Sequence, residues 1–71
     1  MNWEIAGPKD IAPLVRARRK DLGLTQAELA GLAEVSPRFV FDLESGKQTI
    51  ALDKLFAVLR ALGLSFELGV K

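Results

Sequence analysis

The sequence predicts a mostly α-helical domain of four short helices and one short C-terminal β-strand, the second and third helices joined by a tight turn. Three observations predict it. Apolar residues recur at spacings of three and four in separate stretches, as on one buried helix face. Each stretch is bounded by residues that start or stop helices. The last one, "LSFELGV", switches to a period of two, the spacing of a strand with one apolar side.

The first helix opens at Pro8, where a missing N–H costs nothing. Ile11, Leu14, Val15, Arg18 and Leu22 recur along one face, with Pro13 placed to delay the helix start and Gly23 as a left-handed stop. The second begins at the N-cap Thr25, with Glu28 three residues on completing a capping box. Leu29, Ala30 and Ala33 face inward. The third has Ser36 as N-cap and Pro37 as its first helical residue, Val40 and Leu43 as inner stripe, and Gly46 as its end. So few residues separate these two that they read as a helix-turn-helix unit. The fourth runs from about Leu52 to Leu62, with Leu52, Leu55, Phe56, Leu59 and Leu62 inward. In the strand, Leu64, Phe66, Leu68 and Val70 share one apolar side. It needs a partner, either the leader, where Trp3 and Ile5 alternate with Asn2 and Glu4, or a second subunit. The expected organisation is a leader at 1–7, a helical domain at 8–63 and a dimerisation strand at 64–71.

Composition narrows the chemistry. With 71 residues the chain makes one small domain, of a size that association often stabilises. There is no cysteine and no histidine, which removes disulfides, thiolate metal sites and the usual general base. No glycine-rich phosphate loop or carboxylate constellation replaces them, so no enzyme, metal site or cofactor is expected. The net charge is only +1, but Arg16, Arg18, Arg19 and Lys20 cluster. "MNWEIAGPKDI" lacks the basic start and apolar run of a signal peptide, and no apolar run reaches the ~20 residues of a membrane span. A cytoplasmic protein without membrane contact is expected.

The combination "LTQAELA", "VS" and "DLESGK" resembles the Xre-type (lambda repressor/Cro-like) helix-turn-helix family, and the resemblance spans about Pro8 to Leu62. It implies a four- to five-helix DNA-binding domain. "RFVFDLESGKQTIALDKLFAVLRALGLSFEL" is most similar to HipB-like antitoxins. That similarity implies a repressor of its own operon, a kinase-like HipA toxin as partner, and a C-terminal strand that helps form a homodimer.

In such a motif the third helix enters the major groove with its N-terminal residues at base edges. Arg38, outward near the helix start, suits bidentate contact to guanine. Ser36 is first an N-cap and can also reach a phosphate or base edge. Phe39 is expected to turn outward onto thymine methyl groups; Phe41, about 200° further around the helix, cannot share that surface, and its role stays open between the core edge and DNA. Asp42 is expected to orient Arg38 across one turn. Lys47 suits a phosphate. The resemblance places Gln26 at the DNA backbone, bracing the third helix, with Thr25 and nearby N–H groups as further donors. It also implies a partly buried ion pair between Arg19 and Glu44. The expected DNA-contacting set is therefore Thr25, Gln26, Ser36, Pro37, Arg38, Phe39, Asp42 and Lys47, facing near-palindromic double-stranded DNA in a two-fold dimer. Two other readings fit the same residues: a stand-alone regulator, and a protein interaction module that has lost DNA binding.

Overall fold

The computed structural model describes residues 4–68 and 70. Its helices are α1 (Pro8–Asp21), α2 (Gln26–Ala33), α3 (Pro37–Glu44) and α4 (Leu52–Ala61). α2 packs against both α3 and α4, and α1 packs against α3. The core is a single apolar cluster in which Val15, Leu29, Val40, Leu43, Val58 and Leu62 are fully buried.

Side-chain bonds set the helix starts. Thr25 Oγ1 accepts from Glu28 N at 3.0 Å, and Glu28 Oε1 accepts from Thr25 N at 2.9 Å, closing the capping box of α2. Ser36 Oγ accepts from Phe39 N at 3.0 Å at the start of α3. Pro13 does not delay α1. The Asp10 carboxylate accepts from Ala6 N and Gly7 N at 2.8 and 3.2 Å, which ties down the first turn, and the helix runs on through Pro13. Gly23, at φ +71°, is the left-handed stop expected of it. α4 has no side-chain N-cap, but its C-terminal end is held from α1, where Arg18 Nε donates to the Leu62 carbonyl at 2.9 Å.

Five placements differ from expectation or were not foreseen. Leu52 is 61% exposed, because it opens α4 and its turn lies at the rim of the core. Leu22 is exposed just past the end of α1. Val58, absent from the expected stripe, is fully buried in the middle of α4. Phe39, expected to turn outward, is partly buried and packs against the core cluster, whereas Phe41 is 50% exposed. The two lie about 200° apart around α3, so the helix cannot bury both.

The C-terminal segment is also corrected. Among the described residues there is no strand. A strand exists only through ladder hydrogen bonds to a neighbour, and within one chain residues 64–68 find none. Leu64 packs against the core, and the Phe66 ring sits 6.1 Å from that of Phe56, so the start of the segment lies on α4. Leu68 is 89% exposed and Val70 is fully exposed. The expected pairing with residues 2–6 shows no ladder at Glu4, Ile5 or Ala6, while Asn2 and Trp3 lie outside the described residues.

The turn between α2 and α3 rests on Glu34, which has φ 58° and ψ 41°. A left-handed conformation costs a residue with a Cβ about 1–2 kcal/mol. The end of α3 has the opposite demand on space. Gly46 has φ +78°, and a Cβ there would stand 3.3 Å from the Lys9 Cα, where α1 passes closest. Glu34→Gly is therefore expected to raise unfolding stability by about 1 kcal/mol, and Gly46→Ala to lower it by about 1–3 kcal/mol. Urea denaturation of the two variants against wild type checks both signs.

Candidate nucleic-acid interface

The outward face of α3 is held from behind by one polar node. Arg19 Nε and Nη2 donate to the two carboxylate oxygens of Glu44 at 2.6 and 2.9 Å, a bidentate pair. Arg19 Nη1 donates to the Leu24 carbonyl at 2.7 Å, in the loop before α2. Gln26 Nε2 donates to Glu44 Oε1 at 3.1 Å. One carboxylate thus joins α1, α2 and α3. The Glu44 side chain is only 4% exposed, and among the described residues no buried side-chain polar atom lacks a partner. Burial acts to raise the Glu44 carboxyl. Hydrogen bonds from Arg19 and Gln26, with the positive charges of Arg19 and Arg16, outweigh burial and hold it below its ordinary value. The bond to Glu44 raises the Arg19 guanidinium against its own desolvation.

On the outward side, Arg38 Nε lies 3.1 Å from Asp42 Oδ1, one turn along the helix. Lys47 Nζ lies 3.6 Å from Asp42 Oδ2. Asp42 is thus flanked by two cations, and among the described residues the outer two nitrogens of Arg38 donate no hydrogen bond. The Arg38 guanidinium also lies over the Phe41 ring, 5.5 Å from its centroid. Arg38, Phe41, Asp42 and Lys47 form one continuous face, with Pro37 and Ser36 exposed at its N-terminal end. Ser36 spends a lone pair on its cap and keeps its hydroxyl proton free.

A polar recess of about 250 Å³ adjoins this face, lined by Arg16, Arg19, Gln26, Phe41, Glu44 and Ser45. Gln26, in the first turn of α2, links recess and face. The Thr25 N–H is donated to Glu28 Oε1 in the capping box. That N–H, first, and the Thr25 hydroxyl both stabilise the Glu28 carboxylate and hold its carboxyl below the ordinary value. The structure brings together Gln26, Ser36, Pro37, Arg38, Asp42 and Lys47 and turns Phe39 away. The sequence leaves Phe41 open between the core edge and DNA, and the structure exposes it on this face. The signal that could have placed it was its spacing of three from Arg38, which puts the two on neighbouring turns.

The paired α2 and α3, with an outward polar face on α3, define a helix-turn-helix protein. Residues 15–68 match the Helix-turn-helix family HTH_3, and the chain belongs to this Xre-type family. An uncharacterized HTH-type transcriptional regulator of Sinorhizobium fredii is 48% identical over 68 residues, 96% of this chain and 90% of the relative. Among solved structures, a HipB–O4 20mer complex matches with TM-score 0.86 at 26% identity over 97% of both chains. A HipA–HipB–O2–O3 complex matches with TM-score 0.87, also at 26% identity and 97% of both. The clp gene regulator ClgR of Corynebacterium glutamicum matches with TM-score 0.72 at 34% identity, over 87% of this chain and 80% of that one. The chain is thus a helix-turn-helix transcriptional regulator with a HipB-like structure, in a family that is not generally enzymatic. Among the described residues no helix is long and apolar enough to cross a membrane.

The folded Glu44 carboxyl binds a proton less readily than the unfolded one. Its contribution to stability is therefore complete above the unfolded glutamate value of ~4.3 and is lost as pH falls through the lower folded value. Glu44→Gln is expected to flatten the acid limb of stability against pH, measured by urea denaturation from about pH 3 to pH 7. Arg19→Ala strands a buried carboxylate and is expected to cost about 3–5 kcal/mol at neutral pH in the same assay.

Proposed function

We propose that this chain is a sequence-specific DNA-binding repressor that binds a near-palindromic operator as a homodimer, controls its own operon, and acts as the antitoxin of a HipA-like kinase toxin. The observation that carries the DNA-reading part is the outward face of α3. Arg38 stands at the groove-entering end of the helix with two free nitrogens, is oriented by Asp42, and is backed by the Arg19–Glu44–Gln26 node. Two parallel N–H donors match the O6 and N7 acceptors of guanine. Ser36, Pro37 and Asp42 complete the base-facing group. Gln26, Lys47 and, through its hydroxyl, Thr25 face the phosphates on either side. Phe39 drops out of this set, since its ring is packed on the core.

The dimer is supported by the C-terminal segment. Leu64 and Phe66 lie on the domain, while Leu68 and Val70 project apolar side chains into solvent. Paired with the same segment of a second chain, they gain both ladder bonds and burial. The antitoxin role is supported by likeness to HipB over nearly the whole chain, including its relative in complex with HipA. The stand-alone regulator is favoured by the higher identity to ClgR, 34% against 26% for HipB. Co-purification with a kinase-like protein encoded next to this chain separates the two.

The deciding experiment for DNA reading is titration of the chain's own upstream region against a scrambled duplex at two salt concentrations. Tight binding that prefers the upstream region and weakens steeply with salt is expected. Weak binding indifferent to sequence and salt would favour a protein interaction module. Arg38→Ala is expected to cost about 1–3 kcal/mol in specific affinity and to relax one base position. Leu68→Lys with Val70→Lys is expected to shift sedimentation at micromolar concentration from dimer toward monomer without changing helicity. A double variant that sediments as wild type would remove the segment from dimerisation.

A further inference from the structure

Phe41 is an apolar ring in the middle of an otherwise polar surface. It is half exposed although Val40 and Leu43 beside it are completely buried. Exposing an aromatic face to water is unfavourable, and α3 has already supplied the core with its inner stripe. What Phe41 does contact is the Arg38 guanidinium, whose Cζ lies over its ring, 5.5 Å from the centroid. On its other side it borders the polar recess with Gln26 and Arg16.

We propose that Phe41 reads the C5-methyl group of a pyrimidine in the base pair next to the guanine held by Arg38. This rests on the DNA-reading role proposed above. A guanidinium bonded in plane to guanine O6 and N7 puts an adjoining ring about 5.5 Å away near the level of a neighbouring base pair. In the major groove, the apolar feature available at that level is a pyrimidine C5-methyl. That methyl lies toward the rim of the groove, beside the phosphates of its own strand. Phe41 has the matching position, between the base-reading Arg38 and the phosphate-facing Gln26. Asp42 fixes Arg38 from the other side through Nε, so Arg38, Phe41 and Asp42 present one preformed surface. The ligand chemistry is a methylated pyrimidine beside guanine, in which the methyl belongs to thymine or to 5-methylcytosine.

The test uses the full chain. Wild-type protein selects duplexes from a random pool, and the position relaxed by Arg38→Ala marks the guanine. Each neighbouring thymine is then replaced by deoxyuridine, which removes only the methyl, and affinity is measured for wild type and for Phe41→Ala. One replacement beside the guanine is expected to weaken wild type about fourfold, the worth of one buried methyl-sized group, and to leave Phe41→Ala unchanged. Phe41→Ala keeps the wild-type urea midpoint if the ring has no core role, and Phe41→Leu, still apolar, retains part of the methyl sensitivity. A 5-methylcytosine–guanine pair at the same position restores binding if the methyl alone is read, and fails to if thymine itself is required. A selected sequence whose affinity ignores every neighbouring methyl would overturn this proposal while leaving DNA reading intact. Methyl sensitivity that persists in Phe41→Ala would also overturn it, by assigning the contact elsewhere. A pool that yields no shared sequence would overturn the DNA-reading role and this proposal with it.

Discussion

The Glu44 carboxylate accepts from Arg19 on α1 and Gln26 on α2 while belonging to α3, and Arg19 in turn holds the Leu24 carbonyl. Three helices are fixed to one another through a single buried anion. A buried ion pair is weak support for stability in itself, since desolvation offsets most of its attraction. Its value here is geometric. The bidentate bonds tolerate one orientation of α3 on α1, and the bond from Gln26 ties that orientation to the start of α2. Everything on the outward face of α3 inherits its position from this node. A side chain that reads a base edge must arrive within a hydrogen-bond length of its target, and an apolar contact alone would let α3 slide.

The helices around the node are short, and their ends carry much of their definition. α2 and α3 have eight residues each, too few to be stable in isolation. Thr25 and Ser36 each satisfy an early N–H group, Glu28 closes the box on Thr25, and Arg18 reaches across from α1 to the Leu62 carbonyl at the end of α4. Between α2 and α3 the chain accepts a strained left-handed glutamate in order to keep the turn short. At the end of α3 it uses Gly46, where a φ of +78° disfavours a side chain and a Cβ would press on Lys9 at 3.3 Å. Strain and close approach both fall at the borders of α3.

A second surface is apolar. Ile5, Pro8, Ile11, Ile50, Leu52 and Phe66 line an apolar groove of about 300 Å³ between the leader, α1 and α4. Leu68 and Val70 extend beyond it into solvent. The groove continues the apolar side of the C-terminal segment, so the surface through which the proposed dimer forms is contiguous with the core of each subunit.

The sequence by itself determined the helices, their caps and the helix-turn-helix pairing, because these follow from interactions within a few residues: Thr25 with Glu28, Ser36 with Phe39, the left-handed Gly23. Spacing of three and four also identified Val15, Leu29, Ala30, Ala33, Val40 and Leu43 as buried. Resemblance, rather than periodicity, supplied the expectation of the Arg19–Glu44 pair, since nothing in local pattern links residues 25 positions apart. Only the tertiary structure decided which phenylalanine of α3 faces water. Phe39 and Phe41 flank the same inner stripe, and the choice depends on where α1, α2 and α4 leave room. The same holds for Val58 against Leu52, and for the C-terminal segment, where alternation announces an apolar side but a strand requires a partner that one chain does not provide.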